Sequence, residues 1–92
     1  MKLGIIGCGA IGSDVAKAAD NMDEIEKIFL YDINKEAAEN LNRYLKKGKI
    51  DSFEGFIDKV DVVFESASQK AVNQYAPKVL SSGKELIIMS IG

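Results

Sequence analysis

Three glycines near the start of the chain, in the run Gly7-Cys8-Gly9-Ala10-Ile11-Gly12, limit its fold more than any other feature. The run follows a short apolar stretch, Leu3 to Ile6, too glycine-rich at its end to continue as a strand. Beyond it, Ile11, Val15, Ala18, Ala19 and Met22 recur at helical spacing, with Ser13, Asp14, Lys17 and Asp20 on the opposite side. The run is therefore a G-x-G-x-x-G turn that ends a strand and opens a helix, the context that lifts this pattern above chance. Gly7 permits a tight turn, Gly9 leaves out a side chain where a ligand must approach the backbone, and Gly12 lets the helix pack close to the strand. The free N–H groups at the start of the helix, around Ala10 and Ile11, favour an anionic group such as a pyrophosphate.

The remainder of the chain repeats the same alternation. Lys27 to Tyr31 reads as a buried strand that stops at Asp32, and Asn34 caps a helix carrying Ala37, Ala38, Leu41 and Leu45 inward until Gly48 ends it. Lys49-Ile50 is a weak strand, and Ser52 to Asp58 a helical turn with Phe53, Phe56 and Ile57 as its apolar face. Val60 to Phe64 and Glu85 to Met89 are further strands, joined by a helical segment from Ser66 to Ser82. Ser66 and Gln69 have capping-box spacing, and Pro77 predicts a kink or a break into two short helices. Strands alternating with helices imply an α/β fold, a Rossmann-type doubly wound parallel sheet of about five strands in the order 3-2-1-4-5 with right-handed crossovers. One domain over residues 1–92 is expected, without repeats or linkers.

Asp32 ends the second strand 20 residues after Gly12, the spacing at which a carboxylate can accept hydrogen bonds from the ribose hydroxyls of an adenosine. The expected ligand is thus a nicotinamide dinucleotide. NAD is favoured, because the 2′-phosphate of NADP would meet like charge; Lys35 softens that penalty enough to keep NADP open. The candidate cofactor-binding residues are Gly7, Gly9, Ala10, Ile11, Gly12 and Asp32, with Ala67 and Ser68 from the segment Glu65-Ser66-Ala67-Ser68 at the carboxyl edge of the sheet. Cys8 reads as a packing residue, because neither a histidine nor a nearby acid is present to activate it. Tyr31, Tyr44 and Tyr75 read as core or boundary aromatics.

Composition narrows the function further. Twelve basic against 14 acidic residues, with no basic block, argue against nucleic acid as a partner. A single cysteine and no histidine leave no disulfide and no metal site. No apolar run reaches a membrane span, so the default expectation is a cytoplasmic protein.

The second half carries a more particular signal. Val62-Val63-Phe64-Glu65-Ser66-Ala67-Ser68-Gln69-Lys70-Ala71-Val72, then Tyr75-Ala76-Pro77-Lys78-Val79-Leu80, then Ser90-Ile91-Gly92, resemble the L-aspartate dehydrogenase family. That family shows V-V-E-A-A-S-x-x-A-V, then Y-A-x-x-x-L, then a strand ending near S-x-G; Phe64 and Ser66 depart mildly from its usual choices. The resemblance covers essentially the whole chain. It implies NAD(P)-dependent oxidative deamination of L-aspartate to iminoaspartate, with a C-terminal domain supplying the substrate pocket, the catalytic histidine and the dimer interface. The chain holds no histidine, so no catalytic residue is assigned, and it is expected to bind cofactor without turnover as the N-terminal part of a longer enzyme. The alternatives are the cofactor domain of a homoserine-dehydrogenase-like enzyme, a non-catalytic NAD-sensing module and, more weakly, an adenosylmethionine-binding domain. An apolar edge at Leu86-Ile87-Ile88-Met89 predicts self-association into homo-oligomers.

Overall fold

The computed structural model describes residues 1–90, and along them strands and helices alternate throughout. The strands are β1 (Lys2–Ile6), β2 (Lys27–Tyr31), β3 (Gly48–Ile50), β4 (Val62–Glu65) and β5 (Glu85–Ile88); the helices are α1 (Ala10–Asp20), α2 (Lys35–Asn42), α3 (Phe53–Phe56) and α4 (Gln69–Ser81). All strand pairs are parallel and the order is β3-β2-β1-β4-β5, as the alternation predicts. In this register Ile6 lies between Tyr31 and Glu65, so the ends of β1, β2 and β4 share one edge. The last segment of the family-like pattern, Ser90-Ile91-Gly92, extends past the described residues at Ile91 and Gly92.

Both faces of the sheet are covered, which is why its strands read as continuous apolar runs and not as alternating ones. Leu3, Ile5, Ile28 and Leu30 pack beneath α1 and α2, together with Ala16, Ala19 and Leu41. Ile6, Phe29 and Val63 point the other way, against Phe53 and Phe56 of α3 and Val79 of α4. Chain reversal at β1 puts β2 and β3 on one side and β4 and β5 on the other, making the carboxyl ends of β1 and β4 the switch point where ligands enter such sheets.

Four local expectations are corrected. The buried stripe of α1 is Gly12, Ala16, Ala19 and Asp20, a rotated face, with Ile11 and Met22 exposed. Small residues at Gly12, Ala16 and Ala19 let the helix lie close on the sheet, which favours that stripe over one led by larger side chains. Helix α2 ends at Asn42, well before Gly48, which belongs to β3. Its cap is as expected, Asn34 accepting from the Glu36 amide. Serine 68, not Ser66, caps α4 by accepting from the Ala71 amide at 3.1 Å. And α4 runs unbroken through Pro77. The proline costs one hydrogen bond to the Asn73 carbonyl, but both residues are exposed, so water can take that carbonyl.

Candidate functional site

The glycine turn adopts the geometry its spacing demands. Gly7 has φ +97°, a left-handed conformation, and a Cβ there would lie 2.7 Å from the Ala67 amide nitrogen. At Gly12 a Cβ would collide with the Gly7 carbonyl oxygen. Gly9 differs from both: a Cβ there would meet no atom within 4 Å. The fold tolerates a side chain at Gly9, so the bare backbone is not explained by packing.

Gly9 is also the N-cap of α1 and offers the helix no side-chain hydrogen bond, whereas Asn34, Ser52 and Ser68 cap α2, α3 and α4. The first amides of α1 have no partner within the helix. Ser13 N–H is the first to find one, the Gly9 carbonyl, at 2.9 Å. The first turn of α1 also lacks an acidic side chain that would compete for an anion.

Asp32 stands beside this turn at the tip of β2. One of its carboxylate oxygens accepts the Cys8 amide at 2.8 Å and the other the Asn34 amide at 2.8 Å. The carboxylate is half-buried, and each oxygen retains lone-pair capacity for a further donor. Asp32 thus has a job that sequence reading misses: it fixes the glycine turn through Cys8. The signal for that bond is tertiary, since the two residues are 24 positions apart.

Cys8 is buried and its thiol lies 3.8 Å from the Tyr31 carbonyl oxygen. Burial, reinforced by the Asp32 charge, pushes the thiol up to about 12, which leaves it a packing group and no nucleophile. Tyr31 and Tyr75 meet edge to face with ring centres 6.0 Å apart, and the Tyr75 hydroxyl donates to Tyr31 at 3.3 Å. Burial and then the Tyr31 hydroxyl raise Tyr75 to about 12. Tyr44 is no core residue, being exposed, with the Lys17 ammonium 4.9 Å from its ring centre.

A cleft of about 190 Å³ joins these parts, with Gly7, Asp32 and Ile33 on one side and Ala67, Ser68 and Ala71 on the other. The structure therefore brings all the sequence-predicted site residues to one edge of the sheet. Ala67 and Ser68 do not offer their amides to the cleft, however. Both donate to the Glu65 carboxylate, at 2.8 and 2.9 Å. Ser66 is a second residue that the sequence leaves undistinguished: its hydroxyl donates to the Gly7 carbonyl at 2.8 Å and ties the two loops together. Among the described residues no acidic, cysteine or histidine cluster could hold a metal, and no helix is long and apolar enough to cross a membrane.

Residues 7–92 match the family described as homoserine dehydrogenase, NAD binding domain. The chain belongs to that family. Two relatives place this NAD-binding domain more finely: it is 34% identical to an L-aspartate dehydrogenase of Methanothermobacter thermautotrophicus and 38% identical to one of Methanococcus maripaludis. Each alignment covers all of this chain and 36% of the relative, so the domain spans about a third of their length. Its fold matches that of a 3-hydroxyacyl-CoA dehydrogenase from Archaeoglobus fulgidus with a TM-score of 0.81 at 18% identity, over 99% of this chain and 34% of that one.

Proposed function

We propose that this NAD-binding domain is the cofactor-holding part of an enzyme that oxidatively deaminates L-aspartate to iminoaspartate. In this reading Gly7, Gly9, Ala10, Ile11 and Gly12 present backbone to the pyrophosphate, and Asp32 accepts from the ribose of the adenosine. Ala67 and Ser68 form the facing wall. When bound, NAD supplies a hydride acceptor; everything else required of these residues is holding, orienting and excluding water. The observation that carries the proposal is the open space at Gly9, at an uncapped helix start beside a fixed carboxylate. Relatives called L-aspartate dehydrogenase, aligned over the whole chain, support the choice of amino acid.

Residues 1–92 act in this reading as one cofactor domain of a cytoplasmic enzyme, binding cofactor without turnover. L-aspartate is met only with polypeptide of the kind that fills the rest of the relatives. NAD is preferred to NADP, because Asp32 presents negative charge where the 2′-phosphate would lie.

The test is calorimetric titration of the chain with NAD and with NADP, on wild type, Gly9→Ala and Gly12→Ala. Gly9→Ala should retain its melting temperature and lose NAD affinity by about tenfold or more, since it costs charge-assisted bonds but no fold contact. Gly12→Ala should lose stability as well. Asp32→Ala is a less clean variant, because it also strands the Cys8 and Asn34 amides. Wild-type NAD affinity in Gly9→Ala would overturn the placement of the pyrophosphate, and no binding to wild type would overturn the reading altogether.

A further inference from the structure

Glu65 ends β4 and is the most deeply buried charged residue described, with 1% of its surface exposed. Such a group is costly unless its hydrogen bonds are satisfied. Here one carboxylate oxygen, Oε2, accepts the Ala67 and Ser68 amides, and the other, Oε1, accepts the Ser90 hydroxyl. The Glu65 carbonyl oxygen in turn accepts the Met89 amide at 2.7 Å. One residue thereby joins the end of β4, the loop entering α4 and the chain leaving β5.

Helix α4 does not require this arrangement to begin, since Ser68 caps it independently. What Glu65 holds is the position of the loop. That loop rests directly on the glycine turn, where no Cβ fits at Gly7 beneath Ala67 and where Ser66 bonds the Gly7 carbonyl. Its exposed residues, Ala67 and Ser68, form the wall of the cleft opposite Asp32 and Ile33.

We propose that Glu65 is a positioning residue for the dinucleotide: the reach of its side chain, braced by Ser90, sets the distance between the Ala67-Ser68 wall and the glycine turn. The inference rests on the NAD reading of this cleft. Reach is the property that matters, and it separates two substitutions. Glu65→Gln keeps the length and an oxygen for both amides, and turns an NH₂ group to a Ser90 hydroxyl that can accept. Glu65→Asp keeps the acid and withdraws it by one methylene.

The experiment is calorimetric NAD titration of the 92-residue chain as wild type, Glu65→Gln, Glu65→Asp and Ser90→Ala, with hydrogen exchange of the Ala67 and Ser68 amides and thermal melting followed on each. Glu65→Gln should bind within about threefold of wild type and keep both amides protected, whereas Glu65→Asp should lose about tenfold and expose them, the cost of two stranded donors. Ser90→Ala should fall between. Tight binding by Glu65→Asp with weak binding by Glu65→Gln would show that charge and not reach matters, and would overturn the proposal. So would wild-type affinity in both. Should Glu65→Asp not fold, Glu65→Gln and Ser90→Ala still decide: a loss in the first larger than in the second contradicts positioning. Failure of the wild type to bind NAD defeats the cofactor reading itself, an outcome distinct from equal binding by all four proteins.

Discussion

Asp20 closes the last turn of α1, where a carboxylate faces the negative end of the helix. Helical spacing puts it with the solvated residues, yet only 5% of it is exposed. The compensation comes from outside the helix: the Lys46 and Lys47 amides donate to its oxygens at 2.9 to 3.1 Å. Burial alone would raise the carboxyl above its ordinary 3.8, but those two amides and the two lysine charges outweigh it and hold the pKa below that value. A depressed carboxylate stabilises the fold above its unfolded pKa and loses that contribution as pH falls through the folded one. Asp20→Asn should therefore cost about 1–2 kcal/mol in urea unfolding at pH 7, and the gap from wild type should narrow below about pH 4. The contrast with the glycine turn is instructive. Gly7, Gly9 and Gly12 are legible because their tasks are set within six consecutive residues, whereas the partners of Asp20, Asp32 and Glu65 include atoms from 24 to 27 positions away.

Helix α4 shows the same limit at the next scale. Its existence follows from periodicity, but its start depends on which serine is free to cap. Ser66 is drawn to the Ile6 and Gly7 carbonyls, so the cap passes to Ser68. Its continuity depends on Val79, buried against the sheet and Phe56, holding the second half in line. Packing here overrides the propensity of Pro77, which is exposed. Pro77→Ala should restore the bond to the Asn73 carbonyl and raise stability by about 1–2 kcal/mol, the helix gain less the extra freedom of the unfolded chain. A thermal melt checks this, and a lower melting temperature would mean that the ring fills space α4 needs. The strands were easier to place: short Ile, Val and Leu runs, each followed by a glycine, acid or serine, are where a two-sided sheet must put them.

Over the whole molecule, coverage of the sheet is uneven. Beside α1, an apolar groove of about 430 Å³ runs over Val62, Phe64 and Ile87, with Val15, Ala18 and Met22 along its helical side. Strand β5 borders that groove as the edge of the described sheet, with Ile87, Ile88 and Met89 exposed. Leu86, by contrast, packs inward against the α3 and α4 core. An apolar edge of this kind pairs readily with another copy. Sedimentation of the 92-residue chain should show self-association that grows with concentration, and Ile88→Lys should shift it toward monomer, whereas unchanged monomer in both proteins would refute the edge as a pairing surface. Sequence alone determined the alternation of elements, the strand order and the glycine turn with Asp32, because these depend on periodicity and on backbone freedom within short windows. Only the tertiary structure decided that Asp32 clamps Cys8, that Glu65 braces the facing loop and that Gly9 stands free of every neighbour. Those facts rest on atoms brought together by chain reversal at β1, and no local pattern records which distant amide a buried carboxylate will meet.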